Sequence, residues 1–450
     1  MFFKYGNSMR NALHAISDGS KEVIAIKAEE KVFTKSDIIV SGLALFAMFF
    51  GAGNLIFPPY LGMQGGTLWK TGFLCFILVE VILSCAGIYA MVCAGGSIAA
   101  MRDSVGKVPG FLLNTAAILC TGAFIAPPRT AATTYEMTVV PITDKIGLFP
   151  FSIIFFAIVF ALTIRQTQIV DIIGKFLTPV LIFGIIVLIL SGIWHPIGEI
   201  GPAISNHIAR DGLVAGYQAM DIISVAGFTI VVQDNLVKRG CHTRREQSKT
   251  AVSVSLIAGI LLSLIYGGLT YLGATASSGF GSGLEEAGLI IAITECLMGK
   301  SGVVILGVVV GFACLTTAIG LFGATASYFE SITNGKISYK TGITLLTMIG
   351  IFICNFGLST IISAAVPILS IISPPFMTTV ILLLFRRRIQ NKYIYKGAAL
   401  GAIIFSLFIT GYDYVGLFGF VKSLPFYDFG FGWLLPAVVG GMCGKYMKQR

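Results

Sequence analysis

The sequence predicts an all-α integral membrane protein of about twelve transmembrane helices. Three observations carry that prediction. Of 450 residues, 56% are hydrophobic and 12% charged, too apolar a mixture for a soluble globule. Apolar runs of spanning length, ~20 residues for ~30 Å of hydrocarbon, recur along the chain. The basic residues divide unevenly: with the N-terminus inside, 25 fall on the inner side, five outside, and Arg129 within a span. That split satisfies the positive-inside rule for an even number of crossings, with both termini cytoplasmic in a multi-pass cell-membrane protein. The net charge of +10 is then topology and needs no nucleic-acid partner.

The spans are expected at 37–62, 71–94, 110–134, 150–165, 171–193, 212–232, 251–275, 301–328, 341–358, 361–385, 397–412 and 429–444. Residues 1–35 hold no continuous apolar core and are expected to be a cytosolic extension rather than a signal peptide. Residues 36–385 form the expected core, in halves of about 36–193 and 212–385, and 386–450 the last two helices and the C-terminus. The sequence has no P-loop, no CxxC pair among nine cysteines and only four scattered histidines, so neither ATP coupling nor a metal centre is expected. No cofactor is called for beyond a coupling ion, no obligate protein partner is evident, and uphill movement would have to borrow an ion gradient.

The first span carries "GAGN", Gly51-Ala52-Gly53-Asn54, at mid-depth. Each glycine costs helix propensity of ~1 kcal/mol. Two readings fit. The small residues let a neighbouring backbone approach closely. Alternatively the helix is discontinuous, with carbonyls loose near Phe50 for a cation and the amides of Ala52, Gly53 and Asn54 facing an anion. "FPPY" follows, and proline early in a half-helix is tolerated because its missing N–H would be unpaired anyway.

In the second span Glu80 stands alone; it either accepts the loose N–H groups of a broken first helix or carries a proton. In the third, Arg129 follows two prolines and is expected to pair with Glu136 or snorkel to the interface rather than bind substrate. The sixth, "GLVAGYQAMDIISVAGFTIVV", places Asp221 and Ser224 near Gly227 in apolar surroundings. Asp221 there either caps a restarted half-helix or contacts substrate. The two interrupted spans are five helices apart, the phase of a five-plus-five inverted repeat. In the eighth span Ala313, Thr316 and Thr317 share one face at i, i+3 and i+4. They offer hard oxygens to a small cation, unless the hydroxyls only bond back to their own helix. "CTGAFIAPPRTAATTYE" of span three also aligns with "CLTTAIGLFGATASYFE" of span eight at Cys120/Cys314, Ile125/Ile319, Ala132/Ala326 and Glu136/Glu330. Pro374-Pro375 suggests a kink in the tenth span, and Arg386 to Arg388 an inner flank.

"FAMFFGAGNLIFPPYLG" with the downstream "CLTTAIGL" resembles the branched-chain amino acid carriers, the leucine-isoleucine-valine:cation symporter family, over essentially the whole chain past residue 36. The resemblance implies the amino acid–polyamine–organocation superfamily and the inverted-repeat fold of the leucine transporter, with helices 1 and 6 broken. It implies import of leucine, isoleucine and valine by sodium symport with alternating access, and no enzymatic step. The substrate carboxylate would meet the amides around Ala52 and Gly53. Its ammonium would meet carbonyls near Phe49 and at the helix-6 break beside Asp221 and Ser224. Sodium would sit on the carbonyls of Ala47, Phe50 and Ala313 and the hydroxyls of Thr316 and Thr317. Asn54 matches a position that serves a second sodium in the sodium/chloride-dependent neurotransmitter relatives, but the rest of that site is not recognisable. The alternative is a proton-coupled permease of the same fold for another amino acid or a nucleobase, with Glu80 or Asp221 as carrier. A channel would need a continuous polar lining, and here polar groups cluster at a few mid-depth points.

Overall fold

Gly51 interrupts the first span where the sequence places the interruption. The computed structural model describes residues 34–143, 145–165, 169–280 and 284–447. The expected extension therefore lies outside the described residues up to residue 33. Helix α1 (Lys35–Phe49) starts on a capping box, in which the Thr34 hydroxyl accepts from the Asp37 amide and the Asp37 carboxylate accepts from the Thr34 amide. The chain leaves the helical region at Phe50 and Gly51, then restarts as α2 (Ala52–Gly65) with no side-chain cap.

The second span is α3 (Trp69–Ile77), a π-helical stretch Leu78–Leu83 that carries Glu80, and α4 (Ser84–Ala94). A short helix α5 (Ser97–Ser104) leads to α6 (Lys107–Leu119), a second π stretch Cys120–Phe124 and α7 (Ala126–Thr138). Helix α8 (Leu148–Thr163) follows, then a third π stretch Ile172–Leu177 running into α9 (Thr178–Trp194). The sixth span is α10 (Ile208–Gln218) and α11 (Asp221–Lys238). Then come α12 (Arg244–Thr275), α13 (Glu286–Ile332), α14 (Tyr339–Cys354), α15 (Leu358–Leu384), α16 (Lys392–Val415) and α17 (Leu434–Tyr446). Non-helical Gly299 (φ 61°) divides α13 into a leading helix and the expected eighth span. Among the described residues, eight helical stretches are long and apolar enough to cross a bilayer, while α8 and α14 are apolar but shorter.

The sixth span breaks directly before Asp221, the point at which one of its two readings restarts a half-helix. Gly227 lies inside continuous α11, where an added Cβ would come 3.2 Å from that of Ala324, so it serves packing. The break is at Ala219 and Met220, and Met220 holds a left-handed conformation (φ 74°). That conformation costs ~1–2 kcal/mol in a residue with a Cβ. Met220 is buried, and its carbonyl opens the next helix by accepting from the Ile223 and Ser224 amides and the Ser224 hydroxyl.

Bulky apolar side chains lie both in the core and on the lipid-facing surface, and small residues let certain helices meet closely. Phe176, Phe183 and Phe352 point outward, whereas α2 and α12 meet backbone to backbone. A Cβ on Gly62 would lie 1.9 Å from the Thr270 carbonyl oxygen, and one on Gly273 would lie 1.8 Å from that of Pro59. At the far end of the bundle Arg239, closing α11, pairs with Asp37 of α1 and with Asp171. These contacts fix the half-helices in place and leave their free ends at mid-bundle.

Candidate functional site

The end of α1 leaves carbonyls without intrahelical partners. Side chains from two directions serve three of them. The Thr316 hydroxyl donates to the Ala47 carbonyl at 2.8 Å, the Thr317 hydroxyl to that of Met48 at 2.9 Å, and the Asn54 amide to that of Phe49 at 3.0 Å. Thr316 also lies 2.9 Å from the Ala313 carbonyl of its own helix. One hydroxyl and two carbonyl oxygens thus stand together, hard oxygens of the kind a small cation takes.

Of the five residues expected around a cation, Ala47, Ala313 and Thr316 come together directly and Thr317 stands beside them. The Phe50 ring stacks between those of Phe46 and Tyr266, and the carbonyl that accepts from Thr317 is that of Met48.

Asn54 is buried and faces inward from the first turn of α2. Its amide nitrogen lies 2.9 Å from Glu80 Oε1, 3.0 Å from Asp221 Oδ2, 2.5 Å from the Tyr266 hydroxyl and 3.0 Å from the Phe49 carbonyl. Two amide hydrogens face four oxygens. The group expected to meet substrate or a second sodium also joins the two breaks. Glu80 meets the first helix through the Asn54 side chain rather than through loose backbone amides, and among the described residues its second oxygen, Oε2, is buried without a partner. Asp221 opens α11 and spends its carboxylate on Asn54 rather than on a cap. Tyr266 was not anticipated, although a tyrosine amid the apolar residues of span seven needs a partner for its hydroxyl.

Two cavities meet at this level. A small one, about 30 Å3, is lined by Phe49, Gly51, Gly53, Asp221, Ser224, Phe228 and Thr317 among others. A larger one, about 280 Å3, opens beyond it between α2, α10 and α15, where Phe57, Tyr217, Gln218, Glu286 and Trp433 form part of the wall. The first holds about one water; the second approaches the ~300–1,000 Å3 of small-molecule sites. Arg129 lines both.

Gly53 is helical and makes no backbone seam. The atoms nearest to a Cβ there would be Arg129 Nη2 at 2.8 Å and the Phe57 ring at 3.2 Å, and a Cβ on Gly51 would meet the Thr317 hydroxyl at 3.1 Å. The discontinuous-helix reading of "GAGN" is the one the structure supports. Arg129 departs from expectation: it is buried and turned inward with its guanidinium 5.8 Å from the Phe57 ring centre, while Glu136 is exposed. Pro127 and Pro128 stand at the start of α7, directly after a π stretch, and the side chain that follows them faces the break.

Apolar helices around two mid-depth breaks, with free helix ends and buried charged groups facing a small cavity, define a membrane transport protein of the leucine-transporter fold rather than an enzyme. The chain belongs to the branched-chain amino acid transport protein family, which matches residues 34–450. It is similar to the branched-chain amino acid permease BraB of Bacillus subtilis, 33% identical over 91% of this chain and 94% of that one. The permease BrnQ of Corynebacterium glutamicum is 34% identical over 91% of this chain and 95% of its own. Among solved structures, a Na+-coupled sialic acid symporter in its substrate-bound outward-open state superposes with a TM-score of 0.59, covering 91% of this chain and 90% of that chain. At 13% identity that likeness is one of fold.

Proposed function

We propose that this protein imports leucine, isoleucine and valine across the cell membrane by sodium symport, with both termini cytoplasmic. The names of the similar permeases support the substrate class. One observation carries the ion: the Thr316 hydroxyl lies between the Ala47 and Ala313 carbonyls at 2.8 and 2.9 Å, joining the first half-helix to α13. Sodium on these oxygens replaces a hydrogen bond with an ion and ties α1 to the rest of the bundle. The amino acid then enters through the larger cavity, its carboxylate toward the free amides of α2, and the broken helices rock to open the opposite face. One charge crossing 100 mV contributes ~2.3 kcal/mol, more than tenfold in accumulation. Leucine uptake into proteoliposomes, under a sodium gradient and separately under a pH gradient, tests this. Uptake driven by sodium alone supports it, and uptake indifferent to sodium overturns it.

A second reading is proton coupling. It is favoured by Glu80 and Asp221 sharing the Asn54 amide, which brings the two bonded carboxyl oxygens within about 6 Å of each other. A proton held by that pair would relieve its repulsion. Uptake driven by the pH gradient alone would establish it.

A further inference from the structure

Arg129 is 7% exposed, and among the described residues its guanidinium has no hydrogen-bond acceptor and no carboxylate within 4.0 Å. Its five N–H donors, lining the two cavities rather than bonded to the protein, are open to an acceptor that enters there. The side chain is not loose, since it lies over Phe57 of α2, at a distance where ring and cation attract. Its Nη2 points at Gly53, the second residue of α2, whose starting amides carry no side-chain cap. A free helix N-terminus and a buried, unpartnered guanidinium thus converge on one point, and both favour negative charge. The acidic groups that face Arg129 do not fill this role. Glu286 lines the larger cavity with Arg129 but makes no ion pair with it among the described residues, and Glu80 is engaged with Asn54.

We infer that Arg129 and the amides at the start of α2 form one carboxylate-binding site, in which the guanidinium fork takes the α-carboxylate of the transported amino acid. Gly53 has no side chain because a Cβ would stand between the two. The position at the meeting of the cavities lets the carboxylate be captured from the larger one and carried to the break without losing its counter-charge.

This inference rests on the amino-acid transport reading, and binding to the purified full chain separates the two. Leucine and leucinamide, which lacks the carboxylate, are titrated into wild type, Arg129→Gln and Arg129→Lys, with thermal unfolding measured beside each. Wild type should prefer leucine over leucinamide by at least about 30-fold. In Arg129→Gln leucine affinity should fall by that factor while leucinamide affinity stays within about twofold, so the preference collapses. Arg129→Lys should lie between, keeping charge and losing the fork. A folded Arg129→Gln with the wild-type preference overturns the Arg129 assignment alone. So does wild type that binds both ligands equally, a result that needs no variant. Wild type that binds none of the amino acids overturns both readings.

Discussion

Asn54 and Asp221 stand in the opening turns of the second halves of two different broken helices, and the amide of the first donates to the carboxylate of the second at 3.0 Å. This bond couples the two breaks. Whatever moves α2 relative to the rest of the bundle pulls on α11 through one side chain. Glu80, from the second span, accepts from the same amide and makes the junction three-way.

Removing that amide should loosen the junction. Asn54→Ala leaves the Phe49 carbonyl and two carboxyl groups without their shared donor. An unsatisfied buried group costs ~1–3 kcal/mol. The melting temperature should fall by several degrees, and leucine binding should weaken in the folded fraction as well. A variant as stable as wild type would mean that Asn54 is not the junction.

Glu80→Gln should keep sodium-driven uptake measurable, because the new side-chain carbonyl can still accept from Asn54. The distinguishing measurement is net uptake against exchange. Loss of net uptake with exchange retained would identify Glu80 as a proton carrier and transfer the mechanism to the second reading.

Thr316→Ala removes an oxygen shared between the Ala47 and Ala313 carbonyls, and Thr317→Ala removes the partner of Met48. Each lost contact is worth ~1 kcal/mol, which corresponds to roughly a fivefold rise in the sodium concentration for half-maximal uptake. Thr316→Ala should have the larger effect, and maximal rate should change less than sodium affinity in both. Unchanged sodium dependence in the pair would place the ion elsewhere.

Gly53→Val and Gly273→Val separate a binding glycine from a packing one. The first directs a branched side chain at the Arg129 guanidinium and Phe57, which can shift, so the protein should insert and fold while leucine binding is lost. The second drives a side chain into the Pro59 carbonyl, a backbone that cannot give, so little folded protein should be recovered. Normal leucine affinity per folded molecule in Gly53→Val would restore the packing-seam reading of the first break.

Local properties of the chain are legible in the order of its residues. A helix lies within each apolar run, because hydropathy and length act residue by residue along the segment. The first break follows from two glycines around Ala52, and the threonine face of α13 from the i, i+3, i+4 spacing. What the tertiary structure alone decided were the partners. The oxygens around Asn54 come from residues 26, 167 and 212 positions away, a convergence no local pattern encodes. The sixth span breaks at Met220, whose left-handed backbone a residue with a Cβ disfavours and no local pattern announces. By sequence alone Arg129 is an interfacial charge, because a lone arginine in lipid is expected to reach for water. Only its place beside Gly53 and Phe57 shows that it faces the break instead. Hydropathy and periodicity determine which segments cross the membrane and where a helix is weak; the packing of segments distant in sequence determines which charges meet there.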